Sequence, residues 1–166
     1  MSTSYVKQIE EIFKSIFDTK KHPIKEGQYY IQDLGVPHRS KTLPQGKMAI
    51  YTFVHNGQFL KIGKVGKNSN ARFSSQHYNP GSAMSTLSKS ILRDPSMKNH
   101  GLNHANIKPW MKQNLHRIDI IIDAGLGNEF LARIEDVMHY MFNPKYEGGK
   151  IQNCANHHTT SPFSRL

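Results

Sequence analysis

MAIYTFVHNGQFLKIGKVGKNSNARFSSQHY, from Met48 to Tyr78, is the part of the chain on which everything else turns. It opens with an alternating apolar segment and turns at Asn56-Gly57. It then returns through a second short segment into Lys61-Ile62-Gly63. A loop with Gly66 and Lys67 follows, then a helix carrying Arg72. The pattern is that of a β-hairpin feeding a helix. Two registers are open. A two-residue Asn56-Gly57 loop pairs Tyr51 with Ile62 and puts Tyr51 and Lys61 on opposite faces of the sheet. A three-residue loop, His55-Asn56-Gly57 with Gly57 as a left-handed bulge, pairs Tyr51 with Lys61. A slip of one residue inverts every side chain. The three-residue loop is the expectation here, because it delivers both polar groups to one site.

Outside the hairpin, charge is the informative bulk property. The 166 residues carry 22 Lys+Arg against 12 Asp+Glu, a net charge of +10. That balance attracts polyanions, nucleic acid before an anionic membrane surface. The length suits one domain with a real core. No run of eighteen apolar residues exists, so no membrane span is expected. The N-terminus lacks the pattern of a secretory signal. A single cysteine, Cys154, excludes an internal disulfide and fits a reducing cytoplasm.

Upstream, Val6, Ile9, Ile12, Phe13, Ile16 and Phe17 recur at helical spacing, so residues 5–20 read as an amphipathic helix packed on the core. Residues 22–47 hold Pro23, Pro37 and Pro44 and read as a connecting arm with a short strand at Gln28–Ile31. Its run His38-Arg39-Ser40-Lys41 is either a track for a phosphate backbone or a solvated loop. Downstream, helices are expected from Ser85 to Arg93, interrupted at Asp94-Pro95, and over His104–Asn114. Arg117–Asp123 (RIDIIID) reads as a third strand, buried on at least one face. Asn128–Asn143 is the clearest helix, with Phe130, Ile134, Val137 and Met141 on one stripe. That places Glu135 at the rim of the apolar face, while Glu129 and Asp136 point away. The expected architecture is α/β (α+β): a small three-stranded antiparallel sheet flanked by helices, with an added N-terminal helix and a C-terminal tail. Three segments are expected: a helix and basic arm (1–46), a core (47–146) and a tail packed on the core (147–166).

Ala49-Ile50-Tyr51, and Lys61-Ile62-Gly63 ten residues on, resemble the two signatures of the GIY-YIG nuclease family. Arg72 in the next helix and Glu135 in the long later helix match that family's arginine and glutamate in order and spacing. The resemblance runs from Met48 to about Asn143. Ala49 replaces a glycine, and Lys61 replaces the tyrosine of the second signature. A similar lysine occurs in a branch of small GIY-YIG restriction endonucleases, whose FKIG is similar to Leu60-Lys61-Ile62-Gly63 here.

The resemblance implies a metal-dependent DNA endonuclease, with a restriction or phage-defence role as the expected context. Tyr51 would be the general base, its pKa brought down from about 10 by a neighbouring cation. Lys61 across the hairpin would supply that charge or position the attacking water. Arg72 would hold the non-bridging phosphate oxygens. Glu135 would ligate one divalent ion, Mg²⁺ or Mn²⁺. Lys64 would contact the phosphate or support Tyr51. His77 lies five residues after Arg72, about 140° around a helix, and shares the site only if that helix is short and tilted. Asn143 could buttress the site. Double-stranded DNA is the expected partner, and a homodimer would allow symmetric cutting.

Each residue also has a structural reading. Tyr51 can be a core tyrosine, Lys61 a solvent-facing strand residue, Arg72 a surface cation, and Glu135 an ion-pair partner of Arg133 or Lys145. Two other functions use the same features: a non-catalytic DNA-binding module, and a nuclease acting on single-stranded DNA or RNA. Cys154, His157 and His158 lack the second cysteine that would make a paired zinc cluster.

Overall fold

The structure, a computed structural model, describes residues 4–17, 24–25, 27–83 and 86–146. The sequence's alternation resolves into a four-stranded antiparallel sheet. Its strands are β1 (Tyr29–Gly35), β2 (Lys47–His55), β3 (Gln58–Val65) and β4 (His116–Asp123), in spatial order β1-β4-β2-β3. The helices are α1 (Ser4–Phe17), α2 (Asn70–Ser74), α3 (Leu87–Arg93), α4 (Ile107–Asn114) and α5 (Gly127–Phe142). Short 3₁₀ segments lie at Gln76–Tyr78, Pro95–His100 and Ala124–Leu126. The mixed α and β architecture is as expected, but the sheet gains a strand. The short segment expected in the arm is seven residues long and pairs along β4 from Tyr29↔Ile122 to Gly35↔Arg117.

Because β2 and β4 are central, both of their faces are buried, and each face gathers its own core. On one face Met48, Ile50, Val54, Ile62, Ile118, Ile120 and Ile122 meet Val6, Ile9 and Phe13 of α1 and Leu131, Ile134 and Met138 of α5. On the other face Tyr51, Phe53, Leu60 and Ile121 meet Phe73, Tyr78, Leu87, Ile91, Met97, Ile107 and Met111 from the α2–α4 region. Full burial of one such Ile or Phe contributes about 1.5–3 kcal/mol, so α1 and α5 are held chiefly by this packing. The buried stripe of α5 is Leu131–Ile134–Met138, rotated from the expected one, and Met141 is exposed.

The hairpin register corrects the expectation. His55 pairs with Gln58, so the loop is the two residues Asn56 and Gly57, both at positive φ (47° and 82°). An Asn-Gly turn of this kind matches the twist of the strands it joins. Leu60 has no counterpart: Val54 pairs with Phe59, but Phe53 pairs with Lys61 and Tyr51 with Gly63. This β-bulge adds back the one-residue shift that the shorter loop removed. Tyr51 and Lys61 therefore share a face although they are not partners. After α5, Asn143 takes a left-handed conformation, and Lys145 and Tyr146 donate backbone hydrogen bonds to Phe59 and Leu60 on the free edge of β3. Residues 147–166, with the tail and the Cys154-His157-His158 cluster, lie outside the described residues.

Candidate active site

Tyr51 lies on β2, one strand in from the edge, and its ring crosses β3 at Gly63. A Cβ on Gly63 would stand 2.2 Å from the Tyr51 hydroxyl and 2.5 Å from Cζ, far inside contact distance. Only glycine leaves the phenol this path. Lys61, two residues before Gly63 and on the same face, is 8% exposed.

The segment after β3 supplies the next groups. The α2 helix is a single turn of five residues, followed by the 3₁₀ turn Gln76–Tyr78. The short, interrupted helix meets the condition under which His77 joins Arg72. Arg72 is exposed. His77 is buried and packs against the Tyr51 ring, with centroids 4.5 Å apart. The α5 helix approaches the same edge from the other face and sets Glu135 at the rim of its buried stripe, as its spacing required.

These elements enclose a cleft of about 600 Å³ around the edge of β3. Its walls include Lys61, Gly63, Arg72, His77, Thr86 and Glu135. Asp136, expected to point away, also lines it, as does His139, whose Nε2 donates to the Ile62 carbonyl at 3.0 Å. Neither Asn143 nor Tyr51, which is fully buried, lines the cleft. Lys64 alternates to the face opposite Tyr51, so it does not support the phenol. Its ammonium instead donates to Glu135 Oε2. The alternative partners of Glu135 are engaged elsewhere: Arg133 with Glu129, and Lys145 with Asp94 and Ser96.

Burial and the cations Lys61 and Arg72 set the electrostatics around the cleft. Burial raises the Tyr51 pKa, and the Arg72 guanidinium beside the phenol opposes this without overcoming it. The expectation of a depressed phenol is therefore corrected: Tyr51 is a neutral hydroxyl in the free chain, and the cation acting on it most strongly is Arg72, not Lys61. Burial, followed by Arg72, lowers the Lys61 pKa. Burial, followed by Lys61 and Arg72, lowers His77 to about 3, so this imidazole is neutral at physiological pH. The Tyr51 hydroxyl and both His77 ring nitrogens are buried with no regular hydrogen bond among the described residues. Unpartnered groups of this kind are uncommon in protein interiors.

Beneath the cleft lies a second polar cluster that the sequence reading did not single out. Arg117, fully buried, donates from Nε to Asp119 Oδ1 at 2.9 Å, from Nη1 to the Tyr78 hydroxyl at 2.8 Å and from Nη2 to the Phe73 carbonyl at 2.8 Å. The Tyr78 hydroxyl is then free to donate to His38 Nε2 at 2.8 Å, while His38 Nδ1 donates to the Leu115 carbonyl at 2.7 Å. Burial holds His38 neutral, with its pKa near about 4. His38 is thus withdrawn from the basic run of the arm, leaving Arg39 and Lys41 exposed. Arg117 ties β4 directly to the backbone of α2 and to the turn after it, which carry Arg72 and His77. The available signal was the alternation of Arg117, Asp119 and Ile121 within RIDIIID, which places a charged pair on one face of a buried strand.

For a metal, the donor set is one half-buried carboxylate, Glu135, with Asp136 beside it. No group of three candidate ligands occurs among the described residues. Such a wall fits a hydrated Mg²⁺ or Mn²⁺ that takes its other ligands from water and a phosphate, and does not fit a protein-caged ion. No helix among the described residues is long and apolar enough to cross a membrane. Compared with family models, with characterised proteins and with solved structures, the chain matches none of them.

Proposed function

We propose that the cleft is the active site of a metal-dependent endonuclease of GIY-YIG type, hydrolysing phosphodiester bonds in DNA, duplex DNA first. The observation that carries the reading is the convergence of Arg72, Lys61, His77 and Glu135 on one cleft, with the buried Tyr51 ring passing behind its wall at Gly63. The net charge of +10 supplies a general attraction for a polyanion.

In this reading Arg72, exposed and forked, holds the non-bridging oxygens of the scissile phosphate. Lys61 adds a second positive charge and orients the attacking water. Tyr51 begins as a neutral hydroxyl, so it acts as a base only if its own proton leaves as it accepts one. The neutral His77 imidazole, packed against its ring, would take that proton once a nitrogen comes within hydrogen-bond reach of the hydroxyl. An arriving phosphodiester offsets the charges of Lys61 and Arg72 and so raises the proton affinity of His77. Glu135 would hold Mg²⁺ or Mn²⁺, which when bound polarises the phosphate and stabilises the leaving oxygen. A restriction or phage-defence role, a cytoplasmic location, and a homodimer that cuts both strands belong to the same reading.

The test is cleavage of defined duplex DNA, single-stranded DNA and RNA by the full chain with Mg²⁺. Duplex DNA should be cut with metal and spared with EDTA, and Glu135→Ala should lower the rate by at least about a hundredfold, in the range expected when charge stabilisation at a phosphoryl centre is lost. Binding without cleavage would favour a non-catalytic DNA-binding module, and preferential cutting of RNA or single strands would reassign the substrate.

A further inference from the structure

The ion pair between Lys64 and Glu135 carries a consequence for metal binding that rests on the reading of Glu135 as the metal's carboxylate. A carboxylate only 16% exposed, at the margin of an apolar helix face, requires a counter-charge. Lys64 supplies it from the neighbouring strand. The Lys64 side chain is 40% exposed. It can therefore leave the carboxylate for solvent without moving the backbone of β3, whereas Glu135 is fixed by Ile134 and Leu131 packed beside it. Around this pair the cleft already holds Lys61 and Arg72 against a single further carboxylate, Asp136. A divalent cation arriving alone meets three side-chain cations and a carboxylate that is already neutralised. Once a phosphate has entered, its negative charge offsets Lys61 and Arg72, and the freed ammonium has an anion to move to.

We propose that Lys64 is the resident counter-ion of Glu135. It neutralises, in the free chain, the carboxylate that would hold the divalent metal, keeps the metal's affinity low there, and leaves that carboxylate when the phosphate arrives. Lys64 is thereby a residue that sets metal affinity and binding order.

Mn²⁺ alone, titrated into the full chain and followed by loss of the free-ion electron paramagnetic resonance signal, tests this without any cleavage. Lys64→Met and Lys64→Gln should each bind Mn²⁺ about tenfold or more tighter than the unsubstituted chain, since a partly exposed pair is broken and a like charge removed from beside the ion. Glu135→Gln in either background should erase the gain. Circular dichroism should show all variants folded, as the Lys64 side chain is substantially exposed. Equal or weaker binding in both Lys64 variants, binding undetectable in all of them, or a gain that survives Glu135→Gln would overturn the proposal. Cleavage of duplex DNA measured in parallel separates the two readings. An unsubstituted chain that never cuts removes the nuclease reading and leaves the Mn²⁺ result standing. A chain that cuts with no effect of Lys64 on Mn²⁺ removes this inference alone.

Discussion

Arg117 and Tyr51 stand on adjacent strands and on the same face of the sheet, and their surroundings differ in how far they are satisfied. Every nitrogen of the Arg117 guanidinium has an acceptor, and the network extends through Tyr78 and His38 to the Leu115 carbonyl, with Asp119 Oδ2 left unbonded at its end. Around Tyr51 the phenol hydroxyl has the Arg72 guanidinium beside it without a well-formed hydrogen bond, and both nitrogens of His77 are buried with no hydrogen bond among the described residues. The two clusters share the same helical segment, since Arg117 grips the Phe73 carbonyl and Tyr78 while His77 and Arg72 look into the cleft. A network with its partners in place stabilises and orients. A group buried without a partner costs stability. Ser40 Oγ, His55 Nε2 and Asp119 Oδ2 are in the same condition, so what sets Tyr51 and His77 apart is that they stand together against the cleft wall.

The largest effect should come from breaking the Arg117 cluster. Arg117→Met leaves Asp119 buried without its cation, so the chain should lose about 3–5 kcal/mol in urea unfolding. Loss of less than about 1 kcal/mol would mean that Arg117 is not the tie between β4 and α2. Next in size, Tyr78→Phe removes one hydroxyl and strands two partners. It should cost about 1–3 kcal/mol while leaving the ring packing with Phe53 intact.

Acid should reveal both clusters together. His38 and His77 titrate at about 4 and about 3 in the folded chain, below the usual 6.5, so both stay neutral when folded. Between pH 6 and 4 the unfolded chain takes up protons that the folded chain refuses, and stability falls as pH is lowered. Each histidine contributes a slope of up to about 1.4 kcal/mol per pH unit. In His77→Gln the slope should fall by roughly half. An unchanged slope would place His77 in contact with water and blunt the comparison.

Much of this is legible before any coordinates, and the illegible parts have physical reasons. The helical repeat of residues 5–17, the β-branched run of β4 and the apolar period of α5 each announce an element, because burial imposes its period on the sequence. Glu135 could be placed at a rim by angle alone. The register of the hairpin could not be read, because the bulge at Leu60 has no residue signature of its own. An ordinary leucine occupies it, and only the pairing on both sides reveals it. The Asn56-Gly57 turn argued for the shorter loop, the demand that Tyr51 and Lys61 share a face argued for the longer one, and the bulge satisfies both. The burial of His38 was equally hidden. In the sequence it belongs to a basic run, and its burial depends on Tyr78 and Leu115, far along the chain. Lys64 follows Lys61-Ile62-Gly63 and so reads as a phosphate contact or a support for Tyr51, but strand alternation turns it to Glu135 on α5.

Tyr51→Phe is the substitution that bears most directly on the contrast, because it deletes one buried oxygen whose neighbour, Arg72, makes no well-formed hydrogen bond to it. Urea unfolding and Mg²⁺-dependent cleavage of duplex DNA should be measured on the same preparation. Stability should stay the same or rise by up to about 1 kcal/mol, since no hydrogen bond is lost, while cleavage falls by at least about a hundredfold. A variant that cuts DNA as the unsubstituted chain does, or that loses stability as Tyr78→Phe should, would show that the Tyr51 hydroxyl belongs to the scaffold and not to the site.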